Sequence, residues 1–78
     1  MRVFIKLYGN LRRYLPPDGD GLELAVDPDT NVQAMLKKIG IPDSEVWIVS
    51  VNGQVVGQEH MLGPGDMVDV FAPVAGGR

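Results

Sequence analysis

One stretch limits the fold more than any other: DTNVQAMLKKIG, residues 29–40, the clearest α-helical pattern in the chain. Val32, Met35, Leu36 and Ile39 recur at helical spacing and form one apolar stripe. Thr30 followed by Gln33 fits a capping box, in which the hydroxyl and the side-chain amide satisfy backbone donors left free by the first turn. Lys37 and Lys38 complement the helix dipole near its end, and Gly40 suits a left-handed cap after which Ile41 folds back. A helix with one apolar stripe has to cover a second layer, which the rest of the chain must supply.

The flanking segments read as strands. Val3, Ile5 and Leu7 alternate with Phe4, Lys6 and Tyr8, placing the aliphatic residues on one face. Asn10 is expected to cap a short helical turn through Leu11 and Leu15, ended by Pro16 and Pro17. After the loop PPDGDG, Leu22, Leu24 and Val26 alternate with Glu23 and Ala25 as a second strand. β-Branched and aromatic residues fill the run Val46 to Val51, which ends at the hairpin signal Asn52-Gly53, and Gln54 to Val56 continues from it. Pro64 and Gly65 fit the centre of a type II turn before a last strand, Met67 to Phe71.

The order is therefore strand, strand, helix, strand, strand, strand. A chain of 78 residues is too short for repeated crossovers, so this order predicts an α+β fold: one mixed sheet with the main helix across one face. The two end strands are expected to pair in parallel through the helix-containing connection. That is the β-grasp, or ubiquitin-like, arrangement.

Composition narrows the function. A net charge of −3 argues against a sequence-independent nucleic-acid binder, which needs a basic field to displace counterions from phosphates. No apolar run approaches the roughly 18 residues of a membrane span, and the opening MRVFIKLYG is too short and too alternating for a signal peptide. A cytoplasmic location is expected. The absence of cysteine excludes disulfides, thiolate metal sites and a cysteine nucleophile.

The remaining chemical signals are weak. His60 is the only histidine and reads as a surface residue in a loop. Ser44 beside Glu45 lacks a nucleophile's base, and no zinc-ligand spacing exists. DGDG departs from a calcium loop, because Asp29 stands where that loop requires a bidentate glutamate; a tight acidic turn is the better reading. Gly53, Gly57, Gly63 and Gly65 lack the strand-glycine-helix context and the lysine of a phosphate loop. With no catalytic residue, metal site or bound cofactor predicted, function falls to the surface and the termini.

If Val68 and Val70 face the helix, Met67, Asp69 and Phe71 face away from it, and Phe4, Lys6 and Tyr8 share that outer side. The expected result is an apolar patch around a Lys6–Asp69 pair, suited to a protein interface. Beyond a domain of residues 1–72 comes a tail, residues 73–78, ending in two glycines and an arginine. Ala72 to Gly77, released from the sheet, reaches on the order of 20 Å. Terminal glycines let a backbone and its carboxylate approach reactive groups closely, and Pro73 limits the ordering cost of insertion.

The stretches VNGQVV and LGPGDMVDVFAPVAGG, with the opening LYGNLRRYLP, resemble the MoaD/ThiS family of ubiquitin-like sulfur carriers over essentially the whole chain. The tail is most similar to that of the molybdopterin synthase small subunit, which commonly ends in a phenylalanine, a proline-containing link and Gly-Gly. The resemblance implies a carrier with no bound cofactor. An adenylating enzyme of the MoeB/ThiF type would use ATP to activate the carboxylate of Gly77, and sulfur would then replace the adenylate as a thiocarboxylate. The sulfur would serve molybdopterin synthesis, with the synthase large subunit or another sulfur-accepting enzyme binding the tail.

Carried onto this chain, Gly76 and Gly77 form the reactive tail, and Phe71 with Pro73 guides it into the partner. Strand alternation adds Met67, Phe4 and Tyr8 to the partner-binding surface. Arg78 departs from the family pattern, since with it attached Gly77 has an amide carbonyl instead of a free carboxylate. Either a protease removes Arg78, or it was added in producing the protein, or this member is no longer activated. Two other readings stay open: a ubiquitin-like modifier conjugated through Gly77, and a sulfur carrier for thiamine or another sulfur-containing metabolite.

Overall fold

A computed structural model describes residues 1–17, 19 and 21–73. Its axis is the first strand, β1 (Arg2–Leu7), whose alternation buries Val3, Ile5 and Leu7 and exposes Arg2, Phe4 and Lys6. β2 (Gly21–Ala25) pairs antiparallel with one side of β1. The last strand, Met67–Phe71, pairs with the other side in parallel, as the helix-containing connection predicted.

β3 (Ile48–Val51) and β4 (Gln54–Val56) complete the sheet. With Met67–Phe71 taken as β5, the order across it is β2-β1-β5-β3-β4. The Asn52-Gly53 hairpin forms as expected: both residues have positive φ, 53° and 86°, the geometry of a type I′ turn that matches the twist of its strands. Pro64 and Gly65 are central in a turn closed by Asp66 N–H to Gly63 O at 3.2 Å. These two turns are stitched together, because Asn52 Nδ2–H donates to Asp66 Oδ1 and Asn52 Oδ1 accepts from Met67 N–H, each at 3.0 Å.

The helix α1 (Val32–Ile39) lays Val32, Met35 and Leu36 into the core against Val3, Ile5, Leu7, Val49, Val51, Val68 and Val70. Its C-terminus behaves as predicted: Gly40 is left-handed, and Ile41 N–H returns to Leu36 O at 3.0 Å while its side chain is buried. The N-terminus differs. Asn31, not Thr30, is the cap, its Oδ1 accepting from Ala34 N–H at 2.9 Å. Residues 30 and 31 are instead drawn into an extended crossing, with Thr30 O accepting from Leu62 N–H and Asn31 bridged to Met61.

Three other boundaries shift. The turn after β1 is a 3-10 helix, Gly9–Tyr14, that begins before Asn10 and has no side-chain cap. A second 3-10 turn, Asp43–Glu45, consumes the approach to β3, so the strand starts at Ile48 instead of Val46. β2 ends at Ala25, although Val26 N–H still bonds Met1 O at 2.8 Å. Gly19 N–H closes a turn on Pro16 O, while Asp18 and Asp20 of the expected acidic turn lie outside the described residues.

Candidate functional site

The parallel register of β1 with β5 sets the outer face of the sheet, opposite α1. Phe4 stands beside Met67 and Lys6 beside Asp69, and across β3 Asp69 faces Ser50 while Phe71 faces Ile48. Tyr8 continues the ladder beyond β1, its N–H bonding Val70 O at 3.1 Å. The predicted surface residues therefore share one face but lie at its two ends. Phe4 and Met67 form one end; Tyr8, Phe71 and Pro73 form the other.

The centre of this face is not the predicted ion pair. Asp69 accepts from the Tyr8 hydroxyl at 3.0 Å on Oδ1 and from the Ser50 hydroxyl at 3.3 Å on Oδ2. Among the described residues Lys6 has no ion pair. The reason is geometric and energetic: two short hydroxyl arms on neighbouring strands reach both carboxylate oxygens, whereas a flexible ammonium gains little by giving up its hydration. Asp69 thus ties β1, β5 and β3 together from the outside.

At the tail end, aromatic rings dominate. Tyr8 and Phe71 stack with centroids 4.6 Å apart and planes 13° from parallel, an offset geometry that the ring quadrupoles favour. Trp47 stands beside them, its N–H donating to Phe71 O at 2.8 Å and its side chain 61% exposed. The sequence analysis gave Trp47 no role beyond membership of the strand run Val46 to Val51. The 3-10 turn at Asp43–Glu45 leaves Trp47 just before β3, and its acidic, proline-led sequence was the available signal.

Ala72 and Pro73 leave the sheet between two clefts. The first, of about 340 Å³, is lined by Tyr8, Asn10, Trp47, Phe71 and Pro73. The second, of about 270 Å³, lies toward Arg13, Ser44 and Glu45. Arg13 pairs with Glu45, Tyr14 Oη–H donates to Glu45 Oε2 at 3.2 Å, and the guanidinium sits 4.8 Å from the Tyr14 ring centroid. These contacts lock the two 3-10 turns together beside the tail root. Gly9, at φ +64°, lets the first of them pass close to Ala72; a Cβ there would lie 3.4 Å from the Ala72 Cβ.

The arrangement offers a binding surface. His60 is exposed, and its backbone is spent on Val32 N–H and Gly57 O. Glu45, beside Ser44, is engaged by Arg13 and Tyr14. Among the described residues no group of three His, Cys, Asp or Glu side chains could hold a metal ion. Among them, too, no helix is long and apolar enough to cross a membrane. Gly76, Gly77 and Arg78 lie outside the described residues.

Comparison with known proteins follows the same lines. No curated protein gives a significant sequence match. Among solved structures, the HVO 2177 protein of Haloferax volcanii is 28% identical, with 97% of this chain and 86% of that one covered and a TM-score of 0.76. A Pyrococcus furiosus protein assigned as subunit 1 of a molybdopterin converting factor is 23% identical, covering 94% and 98%, with a TM-score of 0.73. SAMP1 of Haloferax volcanii, a small archaeal modifier protein, is 20% identical, covering 97% and 99%, with a TM-score of 0.72. The fold is the β-grasp of ubiquitin-like proteins, and a family model described as Mut7-C ubiquitin matches residues 1–75: the chain belongs to that family.

Proposed function

We propose that this chain is a sulfur carrier whose working group is the carboxylate of Gly77, freed by removal of Arg78. The observation that carries the reading is the aromatic-rimmed root, Tyr8, Phe71 and Pro73, of a tail whose sequence runs through two glycines to Arg78. A carrier of this kind acts through a partner's active site. A terminal Gly-Gly is the sequence that can enter one most deeply.

The chemistry follows from the group. A carboxylate is a poor electrophile, so a partner enzyme activates it: the Gly77 carboxylate oxygen attacks the α-phosphorus of ATP and pyrophosphate leaves. Hydrosulfide then attacks the acyl carbon, and AMP departs with the former carboxylate oxygen. The product is a Gly77 thiocarboxylate, which a sulfur-accepting enzyme consumes in the cytoplasm. Likeness to a molybdopterin converting factor subunit supports molybdopterin synthesis as that destination. In this scheme Gly76 and Gly77 are the reactive tail, Phe71 and Pro73 aim it, and Phe4, Tyr8 and Met67 widen the partner surface.

The test uses the chain ending at Gly77, its adenylating enzyme, ATP and sulfide. Intact mass should rise by the difference between sulfur and oxygen, and the full chain ending in Arg78 should not react. No mass change in the shortened chain would overturn the proposal. Likeness to SAMP1 favours a second reading, a protein modifier joined through Gly77 to lysines. Gel-shifted conjugates that survive reduction and vanish with Gly77→Ala would establish it.

A further inference from the structure

We propose that Asn52-Gly53 is a site of covalent ageing: Asn52 deamidates to aspartate or isoaspartate, and the change unlocks the β3–β4 hairpin from the start of β5. The inference is independent of the carrier reading above. The chain has three asparagines, and the structure separates them by the backbone nitrogen that follows each. Asn10 precedes Leu11, whose N–H is bound to Tyr8 O at 3.3 Å and whose side chain is buried. Asn31 precedes Val32, likewise buried, with its N–H on His60 O at 3.0 Å. Asn52 precedes Gly53, which is exposed; no acceptor among the described residues holds its N–H, and a Cβ built on it would meet nothing within 4 Å. That nitrogen is unhindered as a nucleophile.

The reaction needs only water. Gly53 N, losing its proton to hydroxide, attacks Asn52 Cγ; the new C–N bond closes a succinimide, and Nδ2 leaves as ammonia, taking a proton from water. Water then opens the ring at either carbonyl carbon. Breaking the Cγ–N bond gives aspartate, and breaking the backbone C–N bond gives isoaspartate. Neither step changes an oxidation state.

The consequence lies in what the Asn52 amide holds. Its Oδ1 accepts from Met67 N–H and its Nδ2 donates to Asp66 Oδ1, while Asp66 Oδ2 is taken by Gly63 N–H at 2.7 Å. An aspartate at position 52 still accepts from Met67, but its second oxygen faces Asp66 Oδ1 where a donor stood. A charge-assisted hydrogen bond thus becomes a contact between like charges. Isoaspartate runs the main chain through Cγ, adding a backbone atom to the two-residue turn that sets the register of β3 with β4. Both products loosen the same corner. The amide's two bonds also restrain the reaction, since Cγ has to turn away from its partners before Gly53 N can reach it.

The full chain is held at physiological temperature, at neutral and at mildly alkaline pH, and followed by intact mass and peptide mapping. Isoaspartyl methyltransferase with labelled S-adenosylmethionine is the probe for isoaspartate. Conversion should fall on residue 52, rise with pH and leave Asn10 and Asn31 intact; Asp66→Ala, which frees Nδ2, should speed it several-fold. In melts of freshly purified variants, Asn52→Asp should lose about 4–8 °C relative to the parent chain. Combining Asn52→Asp with Asp66→Asn returns a donor between the two side chains and should recover most of that loss. Conversion absent from the folded chain, or falling first on Asn10 or Asn31, would overturn the site. An unchanged melt for Asn52→Asp, or no recovery when Asp66→Asn is added, would overturn the unlocking.

Discussion

Gly9 connects backbone conformation to the packing of Ala72 at the end of the sheet. Its φ of +64° lies in the left-handed region, and its missing side chain lets the first 3-10 turn approach Ala72. An L-residue there adds strain of roughly 1–2 kcal/mol. Gly9→Ala should therefore lower unfolding free energy by about that amount in urea titration. Its new methyl would meet Ala72 at ordinary contact distance, so the cost is conformational rather than steric. Gly9→Asn, which tolerates the left-handed region better, should recover part of the loss although its side chain is larger. If Asn were worse than Ala, crowding against Ala72 would be the dominant effect.

The elements show where sequence pattern was sufficient and where it was not. Period-two alternation placed Phe4, Tyr8, Met67 and Phe71 on one face, because a strand offers only two sides. The Asn-Gly hairpin and the glycine cap were legible for a similar reason: few residues satisfy their positive φ. The helix start was not, since Thr30 and Asn31 are both good N-caps and the choice is made by Leu62 and Met61, thirty residues later. The exposure of Trp47 beside Phe71 depends on the same non-locality, and Asp69 found two hydroxyls that no spacing rule brings together. The cap assignment is directly testable. Asn31→Ala should cost about 1 kcal/mol by removing an acceptor for Ala34 N–H, while Thr30→Ala should stay within about 0.5 kcal/mol. Thermal melts of the two variants decide between them, and a larger loss at Thr30 would restore the capping box.

At the scale of the molecule, the proposed function puts the working group beyond the described core. Among the described residues, every member of the buried core lies from Val3 to Val70, with α1 on one face of the sheet and the proposed partner surface on the other. Leu36→Ala opens a cavity in that core and should cost about 2–5 kcal/mol. A domain of this size has a total stability of roughly 5–10 kcal/mol, so this variant should be largely or wholly unfolded at moderate temperature. Truncation after Pro73 keeps every described core residue and should leave unfolding free energy within about 0.5 kcal/mol of the parent. It should nevertheless abolish adenylation, since no Gly77 carboxylate remains. Calorimetry and ATP–pyrophosphate exchange on the same truncated sample separate the two quantities. A truncation that lowered the melting temperature as Leu36→Ala does would make residues 74–78 part of the fold. The tail could then reach a partner only by giving up that stabilisation, and uptake would carry an unfolding cost measurable in its temperature dependence.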